Sequence, residues 1–422
     1  MNSSPIPNCP APFPRLEPRC SCGKRLAAAA LGLLLTSQAS AHGDMASALP
    51  DEEGARIGLA AAVTHINASE LLPSARLAGY LLQGDPGVDR RGFGLEHAVM
   101  DGGWRFNETW GASLAIGKHG TDQAHVEAAW LQARRRTAAG DWHLTAGRQR
   151  PELGPVVITA GHMDRFAMVP LAKRMAVNDD WIDDGAQLGW RSTGTDDVRW
   201  SVDAGMWKGQ VFPGSAAASA APALHLGVSR GDWRLDGFVA RLNPQRRGAQ
   251  VNSLNGAHSH SAPQCDAALR QVMCLDGTSD VAGASVRWDS HQWPVSVSAA
   301  GLMRRDSGAL YSANGSAQYQ GNNRGGWVDA VWRFHSKAEL GVRTERLVAS
   351  HSLIGPGASL LVSEAGFSAY QPASRTALML GYSPTDKLDL RLEAGRETVA
   401  GVAARFVVLR LVARLDHFFS SL

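Results

Sequence analysis

A transmembrane antiparallel β-barrel of about 16 strands is the fold this sequence predicts, with one loop folded inward, and three observations lead to it. Apolar and polar residues alternate with a period of two along many short segments, which sets one face in an apolar medium and the other in a polar one. The polar phase carries charges of both signs, as a water-filled interior would. Aromatic residues gather at segment ends: Trp104, Phe106, Trp110, Trp181, Trp190, Trp288, Trp293, Trp327, Trp332, Phe418 and Phe419. Aromatic girdles at both membrane interfaces are a barrel property. A soluble sandwich or propeller would also alternate. The alternation, however, runs to within a few residues of the C-terminus, so the last strand can close against the first, and lipid tolerates no open sheet edge.

The chain opens on a secretory leader. Arg15, Arg19, Lys24 and Arg25 stand against one acid, Glu17; the apolar run Leu26–Leu35 follows, then Ala39-Ser40-Ala41. A basic region, a short apolar core and a small-x-small cleavage site read as a signal peptide over residues 1–41. The run is shorter than the roughly 20 residues that span a bilayer as a helix. The full sequence has 42 basic and 39 acidic residues. Without the leader's four bases and one acid, 38 of each remain in residues 42–422, which read as a single barrel domain. The basic excess therefore leaves with the leader, and nucleic acid is not an expected partner.

Along the mature chain, Ala48–Ala62 fits helix or strand, and its Ile57, Leu59, Ala61, Val63 phase favours a strand. Trp200, Val202, Ala204 and Met206 oppose Ser201 and Asp203. Ala282, Ala284, Val286 and Trp288 oppose Ser285, Arg287 and Asp289. Ala338, Leu340 and Val342 oppose Glu339, Arg343 and Glu345. Leu388, Leu390, Leu392 and Ala394 oppose Asp389, Arg391 and Glu393. Leu409, Leu411, Ala413, Leu415 and Phe419 oppose Arg410, Arg414 and Asp416. Arg287, Arg343, Arg391 and Arg410 thus fall in the lumen phase. Short turn signals join neighbours, as at Arg230-Gly-Asp and Ser383-Pro-Thr-Asp. Val211–Pro222, Asn243–Asp280 and Asp306–Arg324 read as extracellular loops.

The Asn243–Asp280 loop holds Cys265 and Cys274, the only cysteines left after the leader. An even pair in one loop of an exported chain reads as a disulfide. A metal site of this pair with His258 and His260 is the alternative, but no second ligand set at finger spacing appears; His258 and His260 could separately bind a transition metal with His42 at the new N-terminus.

Residues 147–188 break the alternation. Arg148, Arg150, Arg165, Lys173 and Arg174 lie along the segment with Asp164, and Asp179, Asp180, Asp183 and Asp184 follow. A loop this long is functional or disordered, and its aliphatic residues with Phe166 and Trp181 argue for order. Folded into the lumen, it would set these charges across the narrowest point and select solutes by charge and size. The alternatives are a solvated external loop, or charges that pair with each other or with the wall.

This segment resembles the corresponding region of the phosphate-selective porin O and P family. The matching residues are Gly147, Arg148, Pro151 and Leu153, then Met163, Asp164 and Arg165, then Asp184, Gly185, Gln187 and Leu188. A weaker echo runs from Trp327 onward. The resemblance implies a 16-stranded outer-membrane channel with loops folded inward and an anion or phosphate preference. The family's preference rests on rows of Arg and Lys, whereas the lumen phase here is mixed in sign and the mature chain neutral. The chain also ends on Ser420-Ser421-Leu422 rather than on an aromatic residue.

Gly227-Val-Ser-Arg-Gly231 matches the G-x-S-x-G pattern, but a nucleophile elbow leads into a helix, and here another alternating segment follows. The sequence therefore points to a passive pore in a Gram-negative outer membrane, with no covalent chemistry, no catalytic residue and no cofactor. Its expected partners are outer-membrane lipid and permeating small solutes or ions, with a homotrimer left open. Barrel loops that bind a metal or a surface partner form the second reading, and an outer-membrane enzyme the third.

Overall fold

The computed structural model describes residues 49–75, 77–82, 91–120, 123–161, 163–193, 197–213, 218–251 and 272–420. The leader, His258, His260 and Cys265 lie outside them. Strands β1 (Gly54–Ala68), β2 (Gly92–Arg105), β3 (Trp110–Lys118), β4 (His125–Thr137) and β5 (Gly140–Gln149) precede the long insertion. β6 (Asp183–Arg191), β7 (Val198–Trp207), β8 (Ala221–Arg230) and β9 (Trp233–Leu242) follow it. After the short β10 (Arg247–Val251) come β11 (Val272–Asp289), β12 (Val295–Ser312), β13 (Gly315–His335) and β14 (Ala338–Ile354). β15 (Ala373–Thr385), β16 (Leu388–Val399) and β17 (Val402–Ser420) complete the wall.

Outside β10, each strand pairs antiparallel with the next along the chain. β17 closes on β1 from Gly54↔Ser420 to Ala68↔Phe406. β10 pairs with the start of β11, while β9 pairs with β11 from Leu242↔Ser279 to Trp233↔Trp288. Of the 17 strands, all but β10 therefore form a closed 16-stranded barrel. Among the described residues no helix is long and apolar enough to cross a membrane; strands do the crossing.

The wall is inside out relative to a soluble protein. On β16, Leu390 and Leu392 are exposed on the outer face while Asp389, Arg391 and Glu393 are buried on the inner one. β17 repeats this with Leu409 and Leu415 outside and Arg410 inside. An apolar exterior around a polar interior is stable only in an apolar medium, where closure also satisfies every edge amide. Leu392→Arg places a charge in this band and is expected to destabilise the folded barrel by about 2–4 kcal/mol. Urea unfolding in lipid bilayers reads that loss.

The exposed tryptophans, including Trp104, Trp110, Trp142, Trp200, Trp233 and Trp332, sit beside the short turns, at the end where Gly54 meets Ser420. Trp142 lies against Trp190 and Trp233 against Trp288, with ring centroids 6.3 and 6.0 Å apart. Tryptophan thus marks one rim rather than both. Trp181 and Trp327 are corrections to the girdle expectation, because both are buried inside the barrel.

The Asp306–Arg324 segment is also a correction: it is wall, not loop. β12 and β13 run through it and turn at Ala313-Asn314. Asp306, Tyr319 and Asn323 are buried on its inner face, whereas Ser307, Gln318, Gln320, Asn322 and Arg324 are exposed on the outer one. Arg304 Nε donates to Asp306 Oδ2 at 3.0 Å, and Ser279 Oγ donates to Asp306 Oδ1 at 2.6 Å. Ser229 is the penultimate residue of β8, before a two-residue turn into β9, with no helix following.

Candidate functional site in the lumen

The insertion between β5 and β6 turns into the barrel and carries two short helices, α1 (Pro155–Thr159) and α2 (Leu171–Val177). Gly154 opens α1 with φ 88°, a left-handed conformation that glycine adopts without a Cβ clash. A Cβ there would meet the Asp236 Cβ at 2.7 Å, so glycine also permits the close pass across β9. Pro155 then presets the first helical turn. α2 ends where Asn178 turns left-handed (φ 48°) and its N–H returns to the Arg174 carbonyl, a conformation asparagine tolerates.

An apolar cluster holds the loop. Leu153, Val157, Leu171, Met175 and Trp181 pack with Trp207, Phe238, Leu302, Trp327 and Leu347 of the wall. Trp181 stands 5.4 Å from Trp207 and 5.9 Å from Phe212 between ring centroids. This part of the lumen is filled by apolar side chains, so both faces of the strands beside it carry apolar residues.

Polar contacts fix the rest of the loop through its backbone. Arg391 donates to the Asp164 carbonyl at 2.6 Å, and Arg410 donates to the same oxygen. Arg343 reaches the Met168 carbonyl at 3.2 Å and Arg375 the Val169 carbonyl at 2.8 Å. Arg414 reaches the Met163 carbonyl at 3.3 Å, and Arg304 the Met175 carbonyl. In the opposite sense, Glu393 accepts the Ala167 amide at 2.7 Å and Glu345 the Leu171 amide at 2.6 Å. Arg343 also lies over the Phe166 ring, 4.3 Å from its centroid, a cation–π contact.

The charges of the segment pair as follows. Arg150 Nη2 is 3.2 Å from Asp180. Lys173 Nζ donates to the Ala160 carbonyl at 2.8 Å, the Ile158 carbonyl at 3.2 Å and Asp180 at 2.9 Å. Arg174 lies 3.6 Å from Asp179 and donates to the Ala75 carbonyl at 3.2 Å. Asp183 accepts the amides of Gly209 and Val211. Asp164 Oδ2 is 3.2 Å from Arg343. These groups close on each other and on the wall instead of facing across a gap. Arg148 and Asp184, 2.9 Å apart, are corrections of another kind. They share the outward phase of Trp142, Leu144 and Leu188, so the pair stands on the outer face at the loop end, outside the expected constriction.

Arg165 points to the seam between loop and wall. Its Nε is 3.3 Å from Glu339, and its Nη1 donates to Ser296 Oγ at 3.5 Å. Burial lowers the Arg165 pKa from its ordinary value, and the Glu339 carboxylate opposes that shift. Arg165 lines a polar cavity of about 40 Å³ with Asp164, Arg287, Ser296, Ser298, Asp329 and Arg343, space for water or a small ion.

Below the loop, at the turn end, the lumen carries a chain of ion pairs that the sequence reading missed. His225 bridges Asp203 (Nδ1 to Oδ2, 3.1 Å) and Asp236 (Nε2 to Oδ1, 3.0 Å) across β7, β8 and β9. Arg191 caps Asp203 at 2.9 Å and Arg234 caps Asp236 at 3.0 Å. The carboxylates are buried, with 1% of each side chain exposed, whereas Arg191 and Arg234 are 36% and 38% exposed. Arg333 over Glu339 repeats the arrangement at 49% and 16%. Arg287 pairs with Asp289 at 2.5 Å in the opposite sense, the acid being the more exposed member. The signal for these residues was present, since each shares the lumen phase of its strand; the partners of His225, Arg191 and Arg333 were not readable, because they lie on neighbouring strands, whereas Arg234–Asp236 and Arg287–Asp289 stand two apart on one strand.

Cys274 is disulfide-bonded; Cys265, its expected partner, lies outside the described residues.

No family model matches the chain. No curated protein matches it. Solved structures do. OmpT, an outer membrane protein of Vibrio cholerae in a trimer form, is 11% identical, with 86% of this chain and 100% of that one covered at a TM-score of 0.53. OprB of Pseudomonas putida is 10% identical, with 92% and 97% covered at 0.51. An anion-selective porin from Comamonas acidovorans is 9% identical, with 85% and 98% covered at 0.50. At these identities the likeness is one of fold: a 16-stranded barrel of the outer-membrane porin type.

Proposed function

We propose that this chain is a passive outer-membrane channel for small hydrophilic solutes with a preference for anions, exported by a leader over residues 1–41 that is then removed. One observation carries the preference. At the turn-end mouth, guanidinium groups stand between the water and the carboxylates that anchor them: Arg191 over Asp203 and Arg234 over Asp236. The formal charges nearly cancel, but the exposed member of each of these pairs is the cation, and an ion entering the mouth meets that member first.

The resemblance to the phosphate-selective porin O and P family supports anions as a class. A phosphate row is a weaker fit, because the donors of Arg343, Arg391 and Arg410 are engaged by loop carbonyls and carboxylates. Passage is diffusive, and the constellation of buried pairs performs no covalent step. A homotrimer belongs to the same proposal; one similar structure is of a trimer form.

The test is electrical. Purified folded protein in planar bilayers is expected to give small ohmic steps, because the loop occupies the lumen, and a reversal potential on the anion side in a dilute potassium chloride gradient. No steps from a heat-modifiable, folded preparation would sink the channel reading. A reversal potential on the cation side would sink the anion preference while leaving the channel.

A further inference from the structure

A cluster of histidines on β2–β4, away from the inserted loop, is built around one carboxylate. His97 Nε2 is 2.7 Å from Glu127 Oε1, His119 Nε2 is 3.0 Å from the same oxygen, and His125 Nε2 is 3.8 Å from it. The ligand atoms of His97, His119 and Glu127 all lie within 4.8 Å of one another. The His97 and His119 rings stack with centroids 4.3 Å apart, and His119 and His125 with centroids 5.4 Å apart. His97, His119 and Glu127 are buried, whereas 32% of the His125 side chain is exposed and leaves a way in.

The backbone is shaped to bring these groups together. On β2, Ala62 pairs with His97 and Val63 with Leu95, so Glu96 is an extra residue and both it and His97 turn inward. On β4, Ala115 pairs with Ala128 and Ile116 with Val126, so Glu127 is the extra residue there. Bulges of this kind re-aim side chains and concentrate at functional sites. Gly117 clears the space, since a Cβ there would fall 2.0 Å from Glu127 Oε1. The second carboxylate oxygen, Glu127 Oε2, is buried and accepts no hydrogen bond. A buried charged oxygen without a partner is costly.

We propose that His97, His119, His125 and Glu127 bind one divalent transition-metal ion of the zinc class. Two imidazole nitrogens and one carboxylate oxygen already stand together, and His125, 3.8 Å from Glu127 Oε1, moves in to complete the nitrogen-and-oxygen four-coordination that ion prefers. With metal–ligand bonds of about 2.0–2.1 Å, ligand atoms of a tetrahedral site stand about 3.3 Å apart. The three distances to Glu127 Oε1 bracket that spacing. A cation among these atoms replaces the crowding of three rings around one oxygen with direct bonds, and the partly exposed His125 is its path of entry. The site is separate from His258 and His260, and it does not depend on the channel reading.

The experiment uses the full mature chain, folded in detergent without a histidine tag, stripped with chelator and titrated with cobalt(II). The expected result is one cobalt per chain with the intense visible absorption of four-coordination, displaced by zinc. His119→Ala is expected to weaken binding by more than about 10-fold, since even outer-shell partners of a metal site are worth that much. His125→Ala provides the same test if His119→Ala fails to fold, judged by heat-modifiable mobility. A double variant His258→Ala with His260→Ala is expected to leave the spectrum unchanged. No cobalt absorption, absorption that survives the cluster variants, or absorption lost only in the His258 and His260 double variant would each overturn the site.

Discussion

Glu345→Gln is expected to raise the single-channel conductance severalfold while leaving the barrel wall folded. Glu345 projects inward from β14 and is buried. Its Oε2 accepts the amide of Leu171, the first residue of α2, at 2.6 Å. That amide is among the N–H groups a helix leaves unsatisfied at its start, where negative charge is favoured. Glu345 also pairs with Arg375 at 3.3 Å, and Arg375 in turn holds the Val169 carbonyl. Neutralising Glu345 weakens one loop anchor directly and leaves the guanidinium that holds another short of its counter-charge. Breaking a buried pair from one side costs about 3–5 kcal/mol, enough to shift a docked loop towards release. The apolar cluster around Trp181 still opposes release, so Glu345→Gln combined with Glu393→Gln is expected to exceed either alone. Trypsin supplies an independent reading. Lys173 and Arg174 are buried in the docked loop, and release should expose them to cleavage. A conductance and a tryptic pattern both unchanged in the double variant would show that these carboxylates do not hold the loop.

The alternation carried the wall but not the loop. β16 and β17 were legible because every second residue had to satisfy lipid, and Leu390, Leu392, Leu409 and Leu415 do so on the outer face. Asp306–Arg324 was not, because its outward phase carries Ser307, Gln318, Gln320, Asn322 and Arg324 in place of apolar residues, and a polar outer face reads like a solvated loop. Near the loop the inner face is apolar, as at Leu302 and Trp327, and the pattern that marks inside from outside disappears. The charged residues of the inserted segment were found as types, but their partners were not. Asp164 meets Arg343, and its carbonyl meets Arg391 and Arg410, contacts set by barrel closure and not by local spacing. Arg148 and Asp184 are different. Their outward position follows from counting in twos from Trp142 and Leu188, so the information was there. For His97 and Glu127 it was not, since each bulge slips the phase by one residue without a mark in the sequence.

Reversing the charge at Arg191 and Arg234 together is expected to move the reversal potential in a dilute salt gradient from the anion side to the cation side. Each Arg→Glu change alters the local charge by two units and uncovers the carboxylate beneath, Asp203 or Asp236, which is otherwise screened from the mouth. His225 remains between those carboxylates and ties β7, β8 and β9 together, so the wall keeps these cross-strand contacts when the guanidiniums are gone. The Arg→Gln pair removes charge without inverting it and should give an intermediate potential. Salt separates this mechanism from a change in pore shape. The groups face water, so their field reaches about 10 Å at 0.1 M salt but only about 3 Å at 1 M. The difference between variant and parent should therefore shrink steeply at high salt. A structural change would persist in molar salt as an altered conductance. A reversal potential unmoved by the Glu pair at low salt would remove selectivity from this mouth and return it to the seam where Arg165, Arg287 and Arg343 line the polar cavity.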